Sequence, residues 1–469
     1  MTSEHFDIIV IGAGTGGLSA ATFARQLGAR VALIERHRIG GDCTWTGCVP
    51  SKALIRAARA AHEQRHAARF GIGAVEPQVD MPAVRAAIRA SIETIYAHET
   101  PAALTKQGIT VVQGAARFVD PHTVQVGARR LHARRLVIAS GARPTIPAIA
   151  GLNETPYLTY EQIFDNETLP RRMVVIGGGP IGCEIAQAYA RLGARVTIVA
   201  ERLLVREDYQ AAQVVRAALA RDGVIHLAAH ASRVRPDGRG GAVVTVGTSE
   251  LPADLLLVAV GRTPNTDDMD LDRAGVRASA DGITIDARGR TSAPHIAAVG
   301  DCTGGEQFTH YAGWQAVQAV RSLLIPGPVV ATSTLVPRVT FTDPELAHVG
   351  LTEAQARAQH GAAVRVAHYP MTRNDRAIVE DDAGGFIKAV YHRNGRILGV
   401  SIVHARAGDV IGEWVLAMRK GLAIAEISDA IHPYPTYSIS AMQLAGDVAI
   451  GNALGGLTGW LLRRIIGRG

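Results

Sequence analysis

The segment GGDCTWTGCVPSKAL, residues 40–54, gathers the side chains of this chain that are best suited to chemistry. It contains Cys43 and Cys48, two of only four cysteines in 469 residues, and Lys52, the first of only four lysines. Two thiols this close in sequence can cycle between a dithiol and a disulfide, but they can also be two unpaired buried cysteines of a cytosolic protein. The sequence motifs around this segment distinguish between these two interpretations.

The N-terminal segment DIIVIGAGTGGLSAATFARQLGARVALIER predicts a buried strand, a glycine turn, a helix and a second strand. Gly12, Gly14 and Gly17 have the G-x-G-x-x-G spacing, which permits a tight turn, close approach of the backbone to a pyrophosphate and close packing of the helix. Glu35 ends the second strand, where a carboxylate can accept a hydrogen bond from a ribose hydroxyl. The combination predicts a dinucleotide site and disfavours a plain glycine-rich turn.

The same pattern recurs at RRMVVIGGGPIGCEIAQAYARLGARVTIVAE, where Gly177, Gly179 and Gly182 take the equivalent places. One dinucleotide needs only one such fold, so two of them predict two different dinucleotides held by two domains. Transfer of electrons between two cofactors is the natural interpretation.

The composition is that of a globular chain with several domains. At 469 residues and 47% hydrophobic content, the chain can bury a large core. Its formal net charge of +7 comes almost wholly from arginines scattered among acids, which argues against nucleic-acid binding. Four cysteines do not make a secreted disulfide framework, and the N-terminus lacks a signal sequence, so we expect a cytoplasmic location. No apolar run reaches the roughly 18 residues of a membrane-spanning helix.

Seven motifs follow one another along the chain: GAGTGG, CTWTGCVPSK, ASGARP, GGGPIG, VAVGRTPN, VGDC and VTFTDPELAHVG. Their order resembles the pyridine nucleotide-disulfide oxidoreductases, flavoproteins such as dihydrolipoamide dehydrogenase, glutathione reductase and mercuric reductase, over nearly the whole chain. The resemblance implies an α/β fold with two Rossmann-like domains and a C-terminal α+β domain. FAD would bind to residues 1–150 and 271–334, NAD(P)H would bind to residues 151–270, and residues 335–469 would form a homodimer.

In the family that these motifs resemble, the cysteine pair forms a redox-active disulfide beside the flavin. The resemblance implies that Cys48 faces the flavin and Cys43 exchanges with the substrate, at a helix N-terminus where a nearby cation lowers the pKa of a thiol. Lys52 would lie near the flavin ring and pair with Glu184, and Asp301 would bind the ribityl chain. Four further residues are expected to contact the cofactors: Ala115, Ser140, Gly141 and Gly261.

Four other side chains near these motifs could also carry chemistry. Cys183 and Cys302 fit no metal or redox spacing, so we expect small buried residues and no resident metal. His310 and Tyr311 belong to a segment that forms a helix along the flavin in the family. Core packing and a functional role fit these two residues equally.

The segment HPYPTYSIS departs from the family pattern. Reductases of lipoamide or glutathione carry an H-P-T-x-x-E motif, in which the histidine protonates the leaving thiolate and the glutamate orients it. Alignment on PT puts Tyr434 at the base position and Ile439 at the glutamate position. Tyrosine here is the mercuric reductase pattern, and a phenol with a pKa of about 10 is a poor base at neutral pH. His432, two residues upstream, is the alternative base.

The segment VTIVAERLLVRED is similar to the corresponding mercuric reductase segment and has Ala200 where an NADH-selecting acid usually stands. Arg202 could contact a 2'-phosphate, which favours NADPH, while Glu201 beside it keeps NADH possible. Unlike mercuric reductase, this protein is expected to have no N-terminal metal-binding domain and no C-terminal cysteine pair. The acceptor, a metal ion or a small molecule, therefore stays open.

The C-terminal residues GNALGGLTGWLLRRIIGRG have a basic amphipathic pattern. Four apolar side chains share one helical face and three arginines accompany them: Leu457, Trp460, Leu461, Ile465, Arg463, Arg464 and Arg468. This pattern fits a weak contact with a membrane surface, or a helix docked on its own dimer.

These features favour an enzyme in which NAD(P)H reduces FAD, FAD reduces a disulfide between Cys43 and Cys48, and the dithiol reduces an acceptor. A dihydrolipoamide dehydrogenase-like disulfide reductase is the alternative within the family. A redox sensor, in which the flavin and dithiol cycle slowly and binding is the output, is the alternative from a different class.

Overall fold

The structure is a computed structural model that describes residues 3–454 and residue 464. Contacts divide the chain into two compact units. The first takes residues up to Gly177, Ala188–Ala200 and Leu227–Ser333, and the second takes Gly178–Gln187, Glu201–His226 and residues from Thr334 on. The domain boundaries predicted from the sequence stay a prediction. The amphipathic pattern around Trp460 lies outside the described residues.

The N-terminal part of the chain supplies the strands and helices that surround the cysteine segment. These are β1 (Glu4–Ile11), α1 (Thr15–Gln26), β2 (Val31–Glu35), α2 (Gly41–Trp45), α3 (Cys48–His66), α4 (Met81–Tyr96), α5 (Pro101–Lys106), β3 (Ile109–Gln113), β4 (Ala116–Asp120), β5 (Thr123–Val126), β6 (Arg129–Ile138) and β7 (Ala142–Pro144). The order β1, α1, β2 is the first βαβ unit that the glycine spacing predicts.

The second glycine motif opens the middle part of the chain. Its elements are β8 (Arg172–Ile176), α6 (Pro180–Leu192), β9 (Arg195–Val199), α7 (Tyr209–Arg221), β10 (Ile225–Leu227), β11 (Ala231–Pro236), β12 (Ala242–Val246), β13 (Ser249–Ala253), β14 (Leu255–Val258) and β15 (Arg262–Pro264). Strand β8 pairs in parallel with β9 and with β14, so β8, α6 and β9 form the second predicted βαβ unit.

The remaining elements complete the first unit and build the C-terminal sheet. They are β16 (Ala278–Ser279), β17 (Gly282–Ile283), β18 (Ile296–Ala298), α8 (Thr309–Leu324), β19 (Arg338–Thr340), β20 (Glu345–Gly350), α9 (Glu353–His360), β21 (Val364–Pro370), α10 (Asp375–Val379), β22 (Phe386–His392), β23 (Ile397–His404), α11 (Ala407–Lys420) and α12 (Ile439–Leu454). Short 3-10 turns connect several of them.

A seven-stranded sheet forms the core of the first unit. Its order is β3-β2-β1-β6-β5-β4, and β18 pairs with β6. Strands β1, β2, β3, β6 and β18 pair in parallel, with Ile9 opposite both Ala32 and Leu136. Helices α1 and α8 pack together in this unit. Parallel strands that are buried on both faces have continuous apolar runs, as in IIVI at the end of β1, residues 8–11.

The C-terminal part of the second unit is an antiparallel sheet of five strands in the order β19-β20-β23-β22-β21. Its core includes Trp414 of α11 and Tyr369 of β21, both fully buried, together with apolar residues of α12. Along the described part of the chain, no helix is both long enough and apolar enough to cross a bilayer.

Candidate redox and cofactor site

A cavity of about 520 Å³ opens in the first unit at the carboxyl ends of its parallel strands. Its lining includes residues that directly follow β1, β6 and β18, which is where ligands bind in doubly wound α/β sheets. The structure brings eight of the predicted site residues together here: Gly12, Gly14, Glu35, Cys43, Ala115, Ser140, Gly141 and Asp301. The sequence positions of these residues span almost 290 places, so only the fold makes them neighbours.

Two glycines of the first motif are required by the backbone around them. Gly12 has φ +96°, and a Cβ there would lie 2.3 Å from the carbonyl oxygen of Ala139. A Cβ at Gly17 would lie 1.7 Å from the carbonyl oxygen of Gly12. Any larger residue would push the turn away from β6 or push α1 away from the turn. Glycine at these two positions is therefore required for the conformation of the turn after β1.

Glu35 fixes the same turn from the side of β2. Its Oε2 accepts a hydrogen bond of 2.7 Å from the backbone N–H of Ala13, and its Oε1 accepts one of 2.7 Å from the N–H of His37. The side chain is buried, yet it lines the cavity. The sequence predicts a ribose contact for this carboxylate, and the structure adds that it hydrogen-bonds both the turn after β1 and the loop after β2.

The two cysteines stand at the start of two successive helices. Cys43 lies in α2, is half-buried and lines the cavity, whereas Cys48 begins α3 and is exposed. The two cysteines are not joined by a disulfide in the structure, and Cys48 Sγ lies 3.3 Å from Oγ1 of Thr309. The pKa of Cys43 is raised, chiefly by its hydrogen bond to Cys48 and then by burial, while the hydroxyls of Thr309 and Thr15 act in the opposite direction. The structure therefore holds the two sulfurs in contact beside the cavity.

An ion cluster beside the cavity was missed by the sequence analysis. The Arg262 guanidinium bridges the carboxylates of Asp42 and Asp301, with Nη1 2.6 Å from Asp301 Oδ2 and a close pair to Asp42. Its Nε donates to the hydroxyl of Tyr160, which in turn donates to Asp42. Burial raises the pKa of Asp301, and the guanidinium partly offsets this. Asp42 and Arg262 stand inside motifs already recognised, but Tyr160 carries no local signal.

One buried hydroxyl in the cavity wall is available for a hydrogen bond to a bound dinucleotide. Thr46 lines the cavity, and its buried Oγ1 has no hydrogen-bond partner among the residues that the structure describes. An unpaired buried hydroxyl costs free energy unless a ligand satisfies it. Together with the glycine cradle, this atom shows that the residues present fit FAD.

The predicted partners Lys52 and Glu184 each form a hydrogen bond with another residue. Lys52 Nζ donates to Oγ of Ser51 at 3.4 Å. Glu184 is buried in α6, and its Oε1 accepts a hydrogen bond of 2.9 Å from the backbone N–H of Phe341. The pairing of Lys52 with Glu184 stays a prediction.

The second glycine turn repeats the strain of the first. Gly177 has φ +124°, and a Cβ there would lie 2.2 Å from the carbonyl oxygen of Ala259. Gly179 differs, since no described heavy atom lies within 4 Å of its ideal Cβ position. Gly182 lies inside α6, and Gly261 precedes β15 with φ +140°. The open space at Gly179 is what a backbone approached by a pyrophosphate requires.

Glu201 and Arg202 follow β9 and are both exposed. Ala200 directly follows β9 and takes the place in the second βαβ unit that Glu35 takes in the first βαβ unit. Leu204 has φ +50°, and its backbone N–H donates to the carbonyl oxygen of Gly178. The loop that carries Arg202 is thus tied to the glycine turn.

Tyr434 is exposed, and its hydroxyl donates to Asp375 Oδ2 at 2.7 Å, which raises the pKa of the phenol. Ile439 begins α12. His432 is largely covered, and its Nε2 lies 2.9 and 3.0 Å from the two carboxylate oxygens of Glu413. This histidine therefore has a carboxylate partner that the H-P-T-x-x-E pattern does not reveal.

The other candidate residues are placed as follows. Cys183 and Cys302 are fully buried, as expected, and burial raises their pKa values to about 12 and about 11. Tyr311 is buried in α8, whereas His310 is exposed and stacks on Phe308. Within the described residues, no group of three or more His, Cys, Asp or Glu side chains could hold a metal ion.

The chain belongs to the pyridine nucleotide-disulphide oxidoreductase family, because residues 6–316 match that family and residues 336–445 match its dimerisation domain. It is therefore an FAD-dependent oxidoreductase of the flavoprotein disulfide reductase class, which uses a pyridine nucleotide and a redox-active disulfide. The dimerisation domain supports a homodimer. The family, fold class and cofactors predicted from the sequence are confirmed.

Relatives that match most of this chain include mercuric reductases and dihydrolipoyl dehydrogenases. Mercuric reductase of Shigella flexneri is 39% identical, over 95% of this chain and 81% of that protein. Dihydrolipoyl dehydrogenase of Geobacillus stearothermophilus is 33% identical, over 96% of this chain and 97% of that protein. Among solved structures, LpdA from Mycobacterium tuberculosis has a TM-score of 0.87 at 29% identity, covering 94% of this chain and 99% of that chain. The HOCl-induced flavoprotein disulfide reductase RclA from Escherichia coli has a TM-score of 0.84 at 29% identity, with 94% and 99% covered.

Proposed function

We propose that this enzyme passes electrons from NADPH through FAD to a Cys43–Cys48 disulfide, and from the resulting dithiol to a soft metal ion such as Hg(II) or to a small oxidant. The observation that carries the proposal is the contact between the two sulfurs at the wall of the cavity. Gly12, Glu35 and Thr46 would hold FAD, which supplies a carrier able to take a hydride and deliver two electrons. Arg202 would select NADPH.

The protein side chains would divide the work at the thiols. Hydroxyls of Thr309 and Thr15 hydrogen-bond to the sulfurs and favour the thiolate, while burial and the second thiol favour the protonated form of Cys43. The sulfur with the more stable thiolate is suited to face the flavin, and the other to exchange with the acceptor. We assign the first role to Cys48 and the second to Cys43, as the family resemblance implies.

Tyr434 supports an acceptor that is not a disulfide. Its hydroxyl proton is already donated to Asp375, and the raised pKa keeps the phenol neutral at physiological pH. Reduction of a disulfide substrate releases a thiolate that a positioned acid must protonate. Reduction of a metal ion releases no such group, and the two protons that a quinone takes up can come from solvent. Tyr434 in place of a histidine therefore favours an acceptor other than lipoamide or glutathione disulfide.

A dihydrolipoamide dehydrogenase-like activity is the second candidate, because one observation favours it. His432 and Glu413 form a histidine–carboxylate pair of the kind that protonates and orients leaving groups. If this pair replaces the lost dyad, lipoamide turnover needs neither Tyr434 nor Ile439.

The acceptor separates the two candidates. Purified holoenzyme with NADPH is assayed with Hg(II), lipoamide, glutathione disulfide, a quinone and oxygen. Metal ion or quinone should stimulate turnover, and the two disulfides should react about 10²- to 10⁴-fold more slowly than with enzymes that hold the dyad, the usual effect of losing general acid catalysis. Lipoamide reduction at a rate typical of the family would contradict the first candidate. In that case His432→Ala should abolish it, and Tyr434→Phe should not.

The two sulfurs are distinguished by spectroscopy. Cys43→Ser should show long-wavelength absorbance from a Cys48 thiolate next to the flavin without any reductant, since Cys48 is then free of its disulfide. Cys48→Ser should never show this band while it retains FAD. Cys183→Ser, a change at a buried cysteine without a redox partner in the proposal, is the control and should behave as the unmodified protein. The opposite pattern in the first two variants would reverse the assignment.

A further inference from the structure

A cluster of charges contacts the helix that carries Cys43. Asp42 directly precedes Cys43, and its carboxylate pairs with Nη2 of Arg262 and accepts a hydrogen bond of 3.3 Å from the hydroxyl of Tyr160. On its other side, Arg262 pairs with Asp301, and its Nε donates to Tyr160 at 3.2 Å. The guanidinium thus joins the cysteine helix α2 to the VGDC segment.

The two salt bridges join one guanidinium to two carboxylates, so with both carboxylates ionised these three groups together carry a net charge of −1. The side chains of Asp42, Arg262 and Asp301 are 35%, 18% and 13% exposed, and all three residues line the cavity. Charges in such a partly buried site are screened less than surface charges. The excess charge therefore acts on whatever charge appears at the neighbouring sulfurs.

We propose that Asp42, held by Arg262, is a positioning residue that lowers the reduction potential of the Cys43–Cys48 pair and so makes its dithiol a stronger reductant. This inference rests on the proposed role of the two cysteines. Reduction breaks the S–S bond, takes two electrons that the pyridine nucleotide supplies through FAD, and takes up protons from solvent. It leaves one thiol and one thiolate, or two thiols. A nearby negative charge disfavours the thiolate, and hence the reduced pair.

The test removes the charge and keeps the shape. Holoenzyme with Asp42→Asn is equilibrated with mixtures of reduced and oxidised dithiothreitol, and the free cysteines are counted by alkylation and mass spectrometry. We expect the equilibrium to shift about tenfold towards the dithiol, which corresponds to about 30 mV for a two-electron couple. Asp42→Glu keeps the charge and should restore the original equilibrium. The other charges of the cavity are unchanged, so the difference reports on Asp42.

Two further variants test whether a shift of the thiol–disulfide equilibrium is specific to the charge of Asp42. Asp165→Asn removes a carboxylate that is bound by Arg89 at the surface, at 2.7 Å, and should not shift the equilibrium. Arg262→Met leaves both carboxylates uncompensated and should shift it in the opposite direction. If Arg262→Met loses FAD, the comparison of Asp42→Asn with Asp42→Glu still decides.

The outcomes separate this inference from the proposed function. An unmodified protein whose Cys43 and Cys48 never form a disulfide would overturn the proposed function. A normal titration of the unmodified protein, together with an Asp42→Asn equilibrium that is unchanged or shifted towards the disulfide, would overturn the role of Asp42 alone.

Discussion

The two glycine-rich turns of this chain have the same backbone strain and different surroundings. Gly12 and Gly177 both have positive φ, and at both positions a Cβ would collide with a carbonyl oxygen of a neighbouring segment. The first turn is closed by the buried carboxylate of Glu35, which accepts two backbone hydrogen bonds. At the second turn Ala200 has no such group, and exposed charged residues follow it.

This difference separates what makes the turn from what selects the ligand. The glycines determine the turn, since only they tolerate the conformation and the close backbone contacts. The residue at the end of the second strand of each βαβ unit is placed to contact the ligand. In the first βαβ unit this residue, Glu35, also hydrogen-bonds the backbone of the turn. A motif search that reads only glycines therefore finds both sites and cannot tell which dinucleotide each one binds.

The largest expected effect comes from Gly17→Ala in the first turn, compared with Gly179→Ala in the second. The added Cβ at Gly17 would lie 1.7 Å from a carbonyl oxygen, so helix or turn must move, at a cost of about 1–3 kcal/mol or more in the free energy of unfolding. The Cβ at Gly179 meets no described atom within 4 Å, so stability should change little while the KM for the nucleotide rises. Denaturant unfolding and steady-state kinetics measure both. Equal destabilisation by the two variants would contradict the comparison.

The second largest expected effect is weaker retention of FAD in Glu35→Gln. Glutamine can accept from only one of the two N–H groups of Ala13 and His37, and the group left unpaired costs about 1–3 kcal/mol. We expect a protein that loses FAD more readily on dilution or in mild denaturant, measured by released flavin fluorescence. Glu201→Gln makes the same change at an exposed position after the second turn and is the matched control. Retention of FAD equal to that of the unmodified protein would show that the carboxylate is dispensable.

Local patterns in the sequence were sufficient for the two βαβ units and for eight of the residues that line the cavity. The spacing of Gly12, Gly14 and Gly17 and the acid at Glu35 are local, so the turn and its closing group could be read directly. The residues that surround the redox thiols could not be predicted from local patterns. Tyr160 reaches Asp42 only because the chain folds back over more than 100 residues, and no periodicity encodes such a contact.

The partner of His432 shows the same limit. The sequence offers Ile439 where a glutamate is expected, and this suggests that the histidine–carboxylate pair is absent. In the structure, Glu413 of α11 lies against His432 from a different element. A search for a fixed sequence spacing cannot find a carboxylate that a different helix contributes.

The smallest expected effect is on nucleotide selectivity at the second turn. NADPH should give a higher kcat/KM than NADH, because Arg202 can form a charge-assisted hydrogen bond to the 2'-phosphate. Its side chain is exposed, so water screens the interaction, and Arg202→Ala should narrow the preference by only about 1.5 kcal/mol, roughly tenfold. Arg206→Ala, at an exposed arginine of the same loop, should leave the preference in place. If the unmodified enzyme prefers NADH, Arg202 does not select the nucleotide. Glu201 is then the acid that binds the ribose, and Glu201→Gln should lower kcat/KM for NADH more than for NADPH.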